Sequence, residues 1–119
     1  MQGLFDTHIV MDYLKGLPEA QAEFAGYTKL YISAISVVEL HLAAREDQAQ
    51  ALAQFLHMFE VVPLDALVAE NAVWLKRQHR QMKLPHAVIW ASARVKGALL
   101  VTRNGKVYPP SEPDIRIPY

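Results

Sequence analysis

The sequence predicts an α/β domain built on a parallel sheet. Three observations predict it. Short apolar runs, "KLYISAI", "EVVPL" and "ALLVT", alternate with stretches of helical periodicity, the pattern of successive βαβ units. Helix signals fall between them: Asp65 and the Ser36–Glu39 pair open helices, Pro18 and Pro85 sit at first-turn positions, and Gly16 and Gly97 close helices. No repeat or low-complexity tract interrupts the 119 residues, so residues 1–119 read as one domain, long enough for a single core.

The elements follow in order. A first strand spans about Gln2–Asp6 and ends on a carboxylate. A helix covers roughly His8–Lys15 and stops at Gly16. Pro18 opens a short helix in "LPEAQAEF", and "KLYISAI" is the second strand. In "SVVELHLAAR", Ser36 and Glu39 fit the capping box S-x-x-E. "DQAQALAQFLHMF" places Ala49, Leu52, Phe55, Leu56 and Phe59 at helical spacing, so one face packs on the core. "EVVPL" is the third strand, and Asp65 is the N-cap of "ALVAENAVWLKRQHRQ". The helix of "LPHAVIWASARVK" leads into the strand "ALLVT". "YPPSEP" is a turn-rich link to a last strand, "DIRIPY".

Composition excludes several classes. There are no cysteines, so disulfides and thiolate metal sites are ruled out, which fits a cytoplasmic protein. No run of about 18 apolar residues marks a membrane span, and the N-terminus has no signal-peptide pattern. Twelve basic residues balance twelve acidic ones. That neutrality argues against a broad electrostatic grip on nucleic acid but leaves room for a local basic patch. It also gives little repulsion between copies, so self-association is expected. No Gly-rich phosphate loop or G-x-S-x-G is present. His41, His57 and His79 lack zinc-site spacing and are expected to be structural or exposed. Trp74 and Trp90 are expected in the core or at an interface.

Ligands of open parallel sheets bind beyond the carboxyl ends of the strands. That edge should receive Asp6 and Thr7, then Ser36 and Glu39, then His86, and last Thr102, Arg103 and Asn104. Asp6 and Glu39 are the candidate carboxylates. Arg103, Asn104 and Lys106 are candidates for phosphate contact, against the simpler reading of Asn104-Gly105 as a solvated turn.

Three stretches in this order resemble the PIN-domain family, and most closely the VapC-type toxins of toxin–antitoxin pairs: "LFDTHIVMDYL", "ISAISVVELHLAA" and "LPHAVIWASARVKGALLVTRN". The ending "DIRIPY" is also similar. The resemblance spans the chain and implies a PIN-like three-layer domain, a central parallel sheet flanked by helices. It implies an endoribonuclease dependent on Mg²⁺ or Mn²⁺, with three or four carboxylates around the metal, because hard cations take oxygen ligands and activate water. Carried over, Asp6 and Glu39 are the first two carboxylates. Position 86 should hold the third and position 107 the fourth, but the chain has His86 and Val107. His8 replaces the family's Asn. The resemblance thus assigns Asp6, Glu39 and His86 as catalytic and metal-binding residues, and Thr7, Arg103 and Asn104 as substrate-binding residues. Imidazole suits Mn²⁺, Fe²⁺, Ni²⁺ or Zn²⁺ better than Mg²⁺, so His86 either shifts metal preference or marks loss of the metal site. The implied partners are an antitoxin protein, RNA and a second copy of the chain. The alternative is a catalytically degenerate PIN domain that binds antitoxin or RNA without cutting.

Overall fold

The structure is a computed structural model that describes all 119 residues. Five strands form one sheet in the order β3-β2-β1-β4-β5, every neighbouring pair parallel. They are β1 (Gln2–Phe5), β2 (Lys29–Ser33), β3 (Glu60–Val62), β4 (Leu99–Val101) and β5 (Ile115–Arg116). Six helices complete it: α1 (Thr7–Leu14), α2 (Pro18–Phe24), α3 (Ala34–Ala43), α4 (Ala49–Leu56), α5 (Ala66–Gln78) and α6 (Leu84–Lys96), with a 3₁₀ turn at Glu46–Gln48 before α4. The expected three-layer arrangement is present.

Strand alternation builds the layers. Successive side chains leave a strand on opposite faces. Leu4, Tyr31 and Leu100 therefore pack with α5 and α6, together with Val68, Leu75, Ile89 and Trp90. Phe5, Ile32 and Val101 face the other way, toward Ile9, Phe24, Leu40, Leu52 and Leu56. Both faces of the sheet are covered, which is why the strands read as continuous apolar runs. Trp90 is fully buried in the core, while Trp74 is 55% exposed and of the two expected places is not in the core.

Several boundaries shift for local reasons. β2 ends at Ser33 rather than running through Ile35, because the Ser33 hydroxyl accepts the Ile35 N–H (3.2 Å) and caps α3. Ser36 then falls in the first turn of α3 and Glu39 in the second, so neither belongs to a capping box. Asp6 is the N-cap of α1 rather than the last residue of β1. β3 stops before Pro63, which cannot donate to a ladder. β5 is only two residues long. Gly97 closes α6 in the left-handed region at φ 63°, the conformation glycine adopts at least cost.

β1 lies at the centre of the sheet. The chain proceeds from it to β2 and β3 on one side and later to β4 and β5 on the other. The exits of β1 and β4 therefore flank the point where strand order reverses, the usual crevice of such sheets.

Gly3 on β1 has no room for a side chain. A Cβ there would lie 2.7 and 2.8 Å from ring carbons of Tyr27. That ring stands edge-on to Phe5 at 5.0 Å, and its hydroxyl donates to Glu23 Oε2 at 2.6 Å. Gly3→Ala is expected to destabilise the fold by about 1–3 kcal/mol through overpacking. Urea denaturation checks this, and an unchanged midpoint would show that Tyr27 swings aside freely.

Candidate active site at the exits of β1 and β4

The site begins with a carboxylate that cannot move. Asp6 is only 4% exposed. Its Oδ1 accepts the Thr7 N–H at 2.8 Å, and its Oδ2 accepts the Thr102 hydroxyl at 2.8 Å. Thr102 in turn accepts the Asn104 N–H at 3.1 Å. The Asp6 N–H donates to the Val101 carbonyl at 2.9 Å. Asp6 thus joins the end of β4 to the start of α1. Burial pushes its carboxyl above the usual range, opposed by the Thr102 and Thr7 bonds and by the charges of His8 and His86.

A second set of bonds begins one residue later. The Thr7 hydroxyl lies 2.7 Å from Glu39 Oε1 and 2.8 Å from Ser36 Oγ. It has one proton to give, and an ionised carboxylate only accepts. Thr7 therefore donates to Glu39 and takes the proton of Ser36. This aims the exposed Glu39 at the start of α1, a role separate from helix capping. Of the expected residues, Asp6, Thr7, Ser36, Glu39 and Thr102 stand in one hydrogen-bonded neighbourhood.

His86 stands in the first turn of α6, as expected. Its Nδ1 is buried with no hydrogen-bond partner. Its ring meets the edge of Tyr108 at 5.7 Å between centroids, and the Tyr108 hydroxyl donates to the His86 carbonyl at 3.3 Å. Tyr108 is fully buried. Its phenol is pushed above the ordinary range by burial and by the charges of Asp6 and Glu39. Sequence reasoning missed Tyr108, and an aromatic directly after the fourth ligand position was the signal available. Val107 is partly buried and packs on the core, where a carboxylate would be costly without a partner.

One expected phosphate contact, Arg103, already holds a carboxylate. Arg103 Nε lies 3.0 Å from Asp12 Oδ2, the oxygen that also accepts the Tyr119 hydroxyl at 2.7 Å. The Asn104 backbone carbonyl accepts the N–H groups of Val107 and Tyr108, both at 3.1 Å, which closes the turn without engaging the Asn104 side chain. Lys106 forms no ion pair. Of the remaining histidines, His41 and His57 are exposed, and His79 packs on Trp90 at 5.2 Å.

The PIN domain model matches residues 4–108, which is most of the chain. The chain belongs to the PIN domain family. It is 31% identical to a chain of a toxin–antitoxin complex from Klebsiella pneumoniae, with a TM-score of 0.92 over 99% of this chain and 98% of that one. It shares its fold with VapBC2 from Rickettsia felis, solved with a promoter DNA fragment (21% identity, TM-score 0.79, 97% and 96% covered). The same holds for DNA-bound VapBC from Salmonella typhimurium (22% identity, TM-score 0.77, 98% and 96% covered). None of the curated proteins matches. No helix of this PIN domain is long and apolar enough to cross a membrane.

PIN nucleases generally use a divalent metal. In this PIN domain no three His, Asp or Glu side chains stand together as they would around an ion. The donor chemistry is nevertheless present: two carboxylates and one imidazole nitrogen with no partner. Asp6 is fixed by its hydrogen bonds, so Glu39 and His86 would have to turn toward it. Such a set fits Mn²⁺ or a softer ion better than Mg²⁺.

The raised pKa of Asp6 makes its ionisation a liability for the metal-free fold. Its stabilising contribution is complete below the unfolded carboxyl pKa and is lost as pH rises through the raised folded value. Asp6→Asn keeps a capping side chain and removes that loss. In chelator near neutral pH the variant is expected to melt above the wild type, with the gap closing toward acid pH. An equal or lower melting temperature would show that the Thr102 and Thr7 bonds already offset burial.

Proposed function

We propose that this chain is the VapC-like toxin component of a toxin–antitoxin pair. It binds an antitoxin protein, acts in the cytoplasm on RNA, and assembles as a homodimer. Its hydrolytic centre is a reduced one: Asp6 and Glu39, with His86 as a third donor and Thr7 holding Glu39. Phosphodiester hydrolysis is therefore weak, and it prefers Mn²⁺ to Mg²⁺. The observation that carries this reading is the buried Asp6. A carboxylate taken out of water with no cationic side chain bonded to it is costly, and a bound divalent cation would offset that cost. The relative from Klebsiella pneumoniae, part of a toxin–antitoxin complex, supports the antitoxin partner.

Val107 favours a second reading. An apolar residue packed on the core stands where the family's fourth carboxylate belongs, so the chain would bind its partner or RNA without cutting.

Cleavage of a mixed RNA pool by purified, antitoxin-free protein in Mg²⁺ or Mn²⁺, against Asp6→Ala, separates the two. Cleavage in Mn²⁺ that disappears in the variant supports the reduced nuclease. Cleavage by neither folded protein supports the binding module. A gain-of-function variant adds a sharper check. Loss of even outer-shell metal partners costs about 10–100-fold, so His86→Asp with Val107→Asp is expected to raise Mg²⁺-dependent cleavage about tenfold or more. No gain would place the defect outside these two positions.

A further inference from the structure

The chain is neutral in sum and uneven in place. No Asp or Glu occurs between Glu70 and Glu112, yet that stretch holds eight of the 12 Lys and Arg residues. The rest of the chain carries all 12 acidic residues and four basic ones. Folding neutralises part of the excess. Arg94 reaches Asp114 and Glu112, Lys96 reaches Glu60, and Arg103 reaches Asp12. No ion pair includes Lys76, Arg77, Arg80, Lys83 or Lys106.

Four of these unpaired cations fall within eight consecutive residues, at the corner where α5 turns into α6. Lys76 and Arg77 end α5, where they suit the helix dipole, and the Lys76 ammonium donates to the Arg80 carbonyl. That account does not extend to the other two. Arg80 lies beyond the helix, and Lys83 is the N-cap of α6 with no capping hydrogen bond. A cation at a helix N-terminus faces the positive end of the dipole. Lys83 therefore stands where the fold gains nothing from its charge and where an arriving anion would gain twice.

The corner borders the site. Lys83 is three residues before His86. The Tyr108 hydroxyl on the His86 carbonyl joins that first turn of α6 to the turn carrying Lys106. Arg77, Arg80 and Lys83 are all exposed. Asp6 is only 4% exposed, out of reach of a rigid duplex, whereas a flexible strand can bring a single phosphate close to it.

We propose that the α5–α6 corner, with Lys106, is the track that binds the phosphate backbone of single-stranded RNA and leads it toward Asp6. The inference rests on the RNA reading above for its substrate class. It does not depend on hydrolysis.

The test is fluorescence anisotropy of a short labelled mixed-sequence RNA with the full chain in EDTA, across a KCl series. On single strands each neutralised phosphate contributes about −0.7 to the slope of log affinity against log salt. Arg77→Gln, Arg80→Gln and Lys83→Gln together are expected to flatten that slope by about 2 and weaken low-salt binding about tenfold or more. Lys15→Gln with Arg45→Gln, outside the corner, should change neither. Lys83→Glu alone guards against misfolding: it should weaken RNA binding while raising the melting temperature, because it corrects the dipole at α6. The proposal is overturned if RNA does not bind, if both sets of variants behave alike, or if duplex DNA or polyglutamate binds more tightly than RNA. RNA bound through the corner but never cut in Mn²⁺ removes hydrolysis and upholds the track. RNA cut normally with no change in slope for the triple variant does the reverse.

Discussion

The arrangement around the site depends on a carboxylate taken out of water at the end of β1. Asp6 holds Thr102 beyond β4 and the first N–H of α1 with its two side-chain oxygens. One residue later, Thr7 holds α3 through Ser36 and Glu39. Two adjacent residues thus tie β4, α1 and α3 to the central strand. In a site of low polarity such bonds strengthen one another, and the loss of one leaves the others incompletely satisfied. The chain β1–Asp6–Thr7 is the point at which sheet and helices are registered at the strand exits.

Topology explains why this is the place. β1 is the middle strand, and the chain leaves it on both sides. The helices following β1 and β2 pack on one face, with Leu40 of α3 meeting Ile9 of α1 in the same cluster, while α5 and α6 pack on the other. A crevice opens where the two directions part. His86 reaches it from α6 on one layer and Glu39 from α3 on another. Residues 6, 39 and 86 come to this edge from three layers, and Thr7 joins Glu39 to the Asp6 end, but the three side chains do not close into one cluster. The layers explain why: each donor is fixed by its own layer, and only Asp6 is locked by bonds on both oxygens.

The layers were legible in the sequence because they rest on periodicity. Parallel strands covered on both faces appear as unbroken apolar runs, and the turns at Gly16 and Gly97 require a left-handed backbone that glycine supplies. The position of His86 was legible for the same reason, since Pro85 marks the first turn of α6. The capping of α3 was not. Ser33 and Ser36 are both serines three residues apart, either able to open a helix, and only the end of the β2–β3 pairing at Ser33 decides between them. Whether Trp74 lay in the core or on an outer face was not legible, because the helical spacing of α5 gives a residue's angle on the helix without saying how far α6 covers it. Tyr108 was overlooked because its hydroxyl bonds the His86 carbonyl, a backbone atom, so that only its place directly after position 107 could have pointed to it. The engagement of Arg103 with Asp12 and Tyr119 joins residues more than 90 positions apart in one direction, beyond the reach of local pattern.

On the proposed reading, His86 and Val107 in place of two family carboxylates would alter more than the ligand count. A site with four ionised carboxylates and no metal repels phosphate, so nucleic acid approaches it only once the ion has neutralised the charge. Here two carboxylates remain, one of them a buried group whose ionisation is disfavoured by its surroundings. The barrier to an anionic strand is lower, and the cations of the α5–α6 corner stand at its edge without acidic partners. On the proposed reading, the substitutions that would weaken metal-dependent cleavage would also favour metal-independent binding. Grip and cutting, coupled through the metal in a full carboxylate site, would then be separable in this chain.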